Sequence, residues 1–139
     1  MMQAKDIISF WFEEIEPVKW WVKDLEFDAL LASKFLALHQ QAINCELHEW
    51  RATAQGRLAE IIILDQFSRN IFRDTPQAFA ADALALALAQ EAIALGMDKA
   101  LSASERSFLY MPFMHSESLY IHDVAVKLFT DNGVASNLE

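Results

Sequence analysis

A pair of opposite charges follows directly on an apolar segment of the chain. The segment from Leu58 to Leu64 runs straight into Asp65 and Arg69. In a helix these two side chains lie one turn apart. The same side of that helix carries Leu58, Ile61, Ile62 and Phe72. Because buried charges are normally paired, one interpretation is a structural salt bridge that sets the packing of a central helix.

A second interpretation places the pair at the edge of a pocket. There the planar guanidinium of Arg69 would bind a carboxylate or phosphate, and Asp65 would orient it. Gln66 and Asn70 project to a neighbouring side, and Arg73 follows one turn after Arg69. The end of this helix therefore gathers several hydrogen-bond donors, which is compatible with anion binding.

His115, Ser116 and Glu117 form a second polar group, shortly after Pro112. In the simpler interpretation Ser116 caps a helix, Glu117 occupies its first turn and His115 packs through hydrogen bonds. In the alternative, His115 is an acid–base residue with Glu117 or Asp65 as the orienting carboxylate, since an imidazole titrates near neutrality.

Other catalytic chemistries are disfavoured by the residue spacing. There is no Gly-x-Ser-x-Gly motif, so a Ser-His-acid hydrolase is not expected. His115 and His122 lie about 10.5 Å apart along a straight helix, too far to share a metal ion. The single cysteine, Cys45, has no basic neighbours in sequence and is expected to be inert. We therefore predict no metal and no cofactor.

Composition indicates one helical domain and argues against polyanionic partners. Of the 139 residues, 54% are hydrophobic, and 11 Lys and Arg against 20 Asp and Glu give a formal charge of −9. Without clusters of cations, nucleic acids and anionic membrane surfaces are disfavoured. One cysteine permits no intrachain disulfide, and neither a signal peptide nor a membrane span is recognisable, so we predict a cytoplasmic protein.

The pattern of caps and apolar residues predicts an all-α fold of about seven helices, arranged as an antiparallel array or bundle of hairpins. The alternating stretch 83–89 is predicted to be helical rather than a strand, because alanine favours helices. Residues 1–133 are assigned to a single domain. Residues 134–139 are predicted to be a frayed tail, whose last two residues also match a vector-derived remnant. The first three predicted helices cover 4–14, 25–44 and 54–67 or 54–71, and Asp24 and Thr53 are the predicted caps of the second and third. A further helix is predicted to start at Asp74-Thr75-Pro76 and to restart at Asp82. The last two are a helix from Ala103 that Pro112 ends or kinks, and a helix over 119–129 opened by Ser116 or Ser118.

Several motifs occur in a fixed order along the chain. They are Phe10-Trp11-Phe12, Trp20 with Lys23-Asp24, Leu64-Asp65-Gln66-Phe67-x-Arg69-Asn70, Phe72-Arg73-x-Thr75-Pro76, Phe108-Leu109-Tyr110-Met111-Pro112 and His115-Ser116-Glu117. Together they resemble the bacterial family catalogued as domain of unknown function 924, over nearly the whole length of the chain. The resemblance implies a tetratricopeptide-like, right-handed array of helical hairpins, and it implies no established activity.

This chain differs from the pattern of the family in two places. Relatives usually carry Gln and an acid where this chain has His122 and Asp123. Relatives also continue into a further helix and a basic motif, so an apolar face near the carboxyl end is expected to be uncovered here, and a homodimer or a partner would cover it.

Two functional hypotheses follow. The first is a helical array that binds a protein or peptide in a groove between hairpins, with Asp65 and Arg69 holding the array together. The second is an enzyme or small-anion-binding protein whose pocket combines Asp65, Arg69 and Arg73 with His115 and Glu117.

Overall fold

Six long helices make up most of the part of the chain that the structure describes, residues 2–133 of this computed structural model. Helix α1 spans residues 4–14 and α3 spans residues 54–71, and each contains one π-helical turn, Phe10–Glu14 in α1 and Ile63–Phe67 in α3. The other helices are α2 (Leu25–Ile43), α4 (Asp82–Ala94), α5 (Ala103–Met114) and α6 (Leu119–Asn132), and short 3₁₀ turns cover Pro17–Trp20, His48–Ala52, Pro76–Ala78 and Met97–Ala100. The predicted frayed tail at 134–139 lies outside the described residues.

Local capping accounts for the helix ends that the sequence predicts. The carboxylate of Asp24 accepts the N–H of Phe27 at 3.1 Å, and the hydroxyl of Thr53 accepts the N–H of Gly56 at 2.9 Å. Ser102 and Glu105 form the reciprocal capping box at the start of α5. Gly96 and Gly133 have φ values of 71° and 73°, the left-handed conformation that ends a helix. The alternating stretch 83–89 is helical, as predicted.

The structure corrects two local predictions and excludes one of the alternatives in two others. The helix predicted to start at Asp74-Thr75-Pro76 is only a three-residue 3₁₀ turn, so there are six long helices within residues 2–133. The Thr75 hydroxyl does not cap a helix but donates to the carbonyl of Phe72. Helix α5 continues past Pro112 to Met114, since a proline near the end of a helix removes only one main-chain hydrogen bond. Ser118, not Ser116, caps α6, because its hydroxyl accepts the N–H of Ile121.

The second correction concerns Asp28. The apolar periodicity of α2 places this residue largely outside the packed stripe, yet it is 8% exposed and lies against the end of α3. A helix face that looks polar in sequence is thus buried, because donors from another helix satisfy the carboxylate.

Helix α3 is the centre of the molecule. It packs against α1, α2, α4 and α5, and every residue from Leu58 to Ser68 is buried. A helix enclosed on all sides is largely apolar around its circumference, as in the Leu58–Leu64 stretch, where the one charged side chain, Glu60, is paired with Arg51 at 2.8 Å. Helix α6 packs on α5 through Ala125 and Phe129. The tetratricopeptide-like, right-handed arrangement of the hairpins stays a prediction.

Aromatic side chains of α1 and α2 fill the core beside the polar end of α3. Phe35 contacts both Phe10 and Phe67, with ring centroids 5.0 Å apart in each pair. The indole N–H of Trp20 donates to the carbonyl of Trp11 at 3.0 Å, which holds the Pro17–Trp20 turn against α1. Within residues 2–133, no helix combines the length and apolarity needed to span a bilayer.

Candidate functional site

Asp65 lies at the centre of a buried hydrogen-bond cluster. It is fully buried and belongs to the π-helical turn of α3. Its carboxylate accepts hydrogen bonds from His115 Nδ1 at 2.7 Å, Gln66 Nε2 at 2.8 Å and Arg69 Nη1 at 3.3 Å. An ionised carboxylate only accepts, so three converging donors satisfy it without water. π-helical turns often occur at functional sites.

Arg69 binds two carboxylates from two helices. It forms the predicted pair with Asp65, and its Nη1 also donates to the main-chain carbonyl of Asp65 at 2.9 Å. Its stronger partner is Asp82 on α4, which accepts from Nη1 and Nη2 at 2.9 Å each in a two-pronged pair. The guanidinium also lies 5.3 Å from the ring centre of Phe79. The sequence did not reveal Asp82 as a partner of Arg69, because an acid in the first turn of a helix is already explained by its favourable position there.

His115 joins the end of α5 to the buried Asp65. The two residues are 50 positions apart in sequence, and of the two predicted carboxylate partners the structure selects Asp65. Since Asp65 accepts, we assign the ring proton to Nδ1, which leaves Nε2 as the proton acceptor. Nε2 makes no hydrogen bond to any residue between 2 and 133. The imidazole of His115 is thus hydrogen-bonded to a buried carboxylate through Nδ1, and 24% of the side chain is exposed.

Ser116 and Glu117 do not join this cluster. The Ser116 hydroxyl accepts the N–H of Ser118 at 3.1 Å, so it supports the turn between α5 and α6. Glu117 is exposed, although it lines a cleft beside His115. The contact of Ser116 is therefore local, but the simpler interpretation of the sequence is wrong in detail, since Ser118 is the cap and Glu117 lies outside α6.

Asn70 and Arg73 belong to a separate cluster around Asp28 of α2. Arg73 donates from Nε at 2.6 Å and from Nη2 at 3.2 Å, and Asn70 donates from Nδ2 at 2.9 Å. The hydrogen bonds from the Arg73 guanidinium to this carboxylate raise the pKa of Arg73. Six of the eight predicted polar residues are therefore divided between two clusters, one centred on Asp65 and one on Asp28, which was not predicted, while the other two join neither.

Two clefts meet at Arg69 and His115, since both residues line both clefts. We name the smaller one the basic cleft. It has a volume of about 360 Å³ and its polar and aromatic lining is Trp20, Trp21, Lys23, Gln66, Arg69, Asn70, Arg73 and His115.

The larger cleft has a volume of about 710 Å³. Its lining combines Phe79 and Leu86 with the acids Asp82 and Glu117. Arg69 and His115 thus form the wall between a cleft with cationic side chains and a cleft with acidic and apolar ones. Volumes of several hundred Å³ fit small molecules.

No cluster of three His, Cys, Asp or Glu side chains in the described part of the chain has the geometry of a metal site. The groups around Asp65 are donors, and they occupy the lone pairs that a metal ion would need. The chemistry available here is proton transfer and anion binding.

Comparison with known proteins confirms the family that the motifs indicate. The fold matches the solved structure of a protein of unknown function from Agrobacterium tumefaciens, with a TM-score of 0.91 and 39% sequence identity, over 97% of this chain and 76% of the other. A search among curated proteins found no match. The model of a family of bacterial proteins of unknown function, DUF924, matches residues 7–138. The chain therefore belongs to this DUF924 family.

Proposed function

We propose that the protein is an enzyme that acts on a small molecule bound at the junction of the two clefts, with His115 as the general acid or base. The observation that carries this proposal is the 2.7 Å hydrogen bond from Nδ1 of His115 to the fully buried carboxylate of Asp65. This bond orients the ring and selects the tautomer in which Nε2 accepts a proton.

The proton would move as follows. Nε2 of His115 takes a proton from the bound molecule, and the imidazolium that forms is stabilised by the Asp65 carboxylate beside Nδ1. The same ring returns the proton to the product. Arg69 is held by Asp82 at the wall of both clefts, so its positive charge stabilises negative charge that develops on the reacting molecule.

The test is a comparison of the parent with His115→Asn. An asparagine amide still donates to Asp65 but cannot carry a proton, so the fold is retained while acid–base chemistry is lost. Each protein is incubated with a bacterial metabolite extract, and mass spectrometry follows which small molecules are consumed. We expect at least one metabolite to be consumed by the parent and spared by the variant.

His122→Asn is the matched control, because His122 is an exposed residue of α6 that lines neither cleft. It should consume the same metabolite as the parent. Thermal unfolding of all three proteins checks that they are folded. Equal consumption by the parent and His115→Asn, or no consumption by any protein, would contradict an acid–base role for His115.

Binding of a protein partner is the second candidate function, and the outer face of α6 favours it. Leu119, Tyr120 and Val126 are 83%, 74% and 62% exposed on this one helix. We propose a second copy of the chain as the occupant, since exposed apolar side chains of identical subunits can meet in a self-complementary contact. Light scattering of the parent should give a dimer, and Leu119→Lys with Val126→Lys should give a monomer. A parent that is monomeric at high micromolar concentration would exclude this dimer.

A further inference from the structure

The basic cleft carries a charge pattern that proton transfer at His115 does not require. Lys23, Arg69 and Arg73 all line it, and no carboxylate is among its lining residues. The chain as a whole has a formal charge of −9. The acids that pair with these cations lie outside this lining, so the cationic donors that face the cleft can bind an anion.

Two donors of the basic cleft are held in place from behind. Asp28, whose side chain is 11% exposed, binds Arg73 through Nε and Nη2 and binds Asn70 through Nδ2. Nη1 of Arg73 makes no hydrogen bond within residues 2–133. This guanidinium is thus fixed with donors unused, and a fixed donor loses little entropy when an anion binds.

Lys23 is a more exchangeable cation at the rim. Its only ion-pair partner among the described residues is Asp74, at 3.6 Å, and the two side chains are 59% and 79% exposed. Exposed pairs of this kind contribute little free energy. An incoming anion can therefore replace Asp74 as the partner of Lys23 at small cost.

An indole ring lies at the rim of the same cleft. Trp21 is 53% exposed, and its ring is nearly parallel to that of Phe108, at 13° and 5.7 Å between centroids. An aromatic ring at this exposure, fixed on one side by another ring, offers a surface for a planar apolar group.

We propose that the basic cleft binds the oxyanion group, carboxylate or phosphate, of a small molecule whose planar apolar part lies on Trp21, and that this molecule is the substrate of His115. Only the statement that this molecule is the substrate of His115 rests on the proposed function. Lys23, Arg73 and the amides of Asn70 and Gln66 would hold the oxyanion, and His115 at the back of the cleft would face the reacting part.

The test uses benzoate, phenyl phosphate and the neutral benzyl alcohol as probes. Binding to the full chain is measured by calorimetry and by the fluorescence of the tryptophans at the cleft. We expect one or both anions to bind at millimolar concentration or below and benzyl alcohol not to bind. The two anions distinguish a carboxylate site from a phosphate site. Added salt should weaken binding, because the cations are partly exposed.

Lys23→Gln and Lys127→Gln form a matched pair of variants. Both remove one exposed positive charge, but Lys127 lies on α6 and lines neither cleft. We expect Lys23→Gln to raise the Kd of the bound anion by roughly 2- to 5-fold, as for loss of an exposed charge pair. Lys127→Gln should leave the Kd unchanged.

Three outcomes would overturn the anion site: no binding of either anion, equal binding of benzyl alcohol, or equal Kd values for the two lysine variants. Measurement on His115→Asn separates this result from the proposed function. If this variant binds the anion with the Kd of the parent and also consumes metabolites like the parent, the anion site stands and the acid–base role fails.

Discussion

At the scale of single residues, Asp65 organises the candidate site. Its carboxylate receives donors from His115, Gln66 and Arg69 while being fully buried. A buried charge is tolerated only when it is paired and hydrogen-bonded. The sequence revealed the charge in an apolar segment and its pairing with Arg69. It left His115 with two candidate carboxylates, because the choice depends on how α5 packs against α3.

We expect Asp65→Asn to destabilise the fold by about 2–4 kcal/mol. The amide replaces one accepting oxygen by an NH₂ group that must face a donor, so at least one buried hydrogen bond is lost. Urea denaturation of the parent and the variant measures the free energy of unfolding. Glu117→Gln, an exposed change in the same region, should cost under about 0.5 kcal/mol. Similar values for the two variants would show that the cluster contributes little to stability.

His39 gives a pH dependence that can be predicted with its sign. Its ring is 4% exposed and lies 2.7 Å from the Ser68 hydroxyl, and burial lowers its pKa from the ordinary 6.5. The unfolded chain therefore binds more protons than the folded chain below about pH 6.5. This contribution to stability is fully present above pH 6.5 and is lost as the pH falls towards the folded pKa.

The test compares the parent with His39→Gln, whose side chain does not titrate. Between pH 7.5 and pH 5.5 the parent should lose more free energy of unfolding than the variant, by up to about 1.4 kcal/mol per pH unit. Urea denaturation at several pH values gives both curves. Parallel curves would mean that His39 has the same pKa in both states.

At the scale of elements, α3 combines an enclosed apolar helix with a polar carboxyl-terminal half. Thr53 caps its start, and the 3₁₀ turn His48–Ala52 packs closely against its first turn. The cap was predicted from the sequence, because it acts between residues three positions apart. The close approach at Gly56 was not predicted, since a glycine in a helix has no sequence signature that reveals its neighbours.

Gly56→Ala should destabilise the protein by about 2–3 kcal/mol. An added Cβ would lie 1.8 Å from the main-chain carbonyl oxygen of Trp50, so backbone must move. Gly96→Ala separates a steric clash from backbone strain. Its Cβ would meet nothing within 4 Å, so the only cost is an alanine at a φ of 71°. We expect about 1 kcal/mol there. Thermal or urea unfolding ranks the two, and a larger loss for Gly96→Ala would contradict the close approach.

At the scale of the whole molecule, one core holds the described helices together. Helix α3 contacts four others, and the buried cluster extends from α1 to α6. A single core of this kind predicts unfolding in one cooperative step. Family membership is shown for almost the whole chain.

Tryptophan fluorescence and far-UV circular dichroism should therefore give coincident urea transitions. Three of the four tryptophans lie within the first 21 residues, while the dichroism reports on all helices. Ile62→Ala, at a fully buried position of α3, should lower both midpoints equally and cost about 2–5 kcal/mol. Separate transitions for the two probes would show that the amino-terminal part unfolds independently.

The sequence by itself determined the all-helical fold, most helix boundaries, the family and the pairing of Asp65 with Arg69. These features depend on interactions between residues a few positions apart, such as caps, left-handed glycines and contacts across one helical turn. Only the tertiary structure decided that His115 binds Asp65, that Asp28 binds Arg73 and that Asp82 binds Arg69. Each of these pairs joins residues at least 13 positions apart, and the same amphipathic helices can pack in many orientations until the whole core forms.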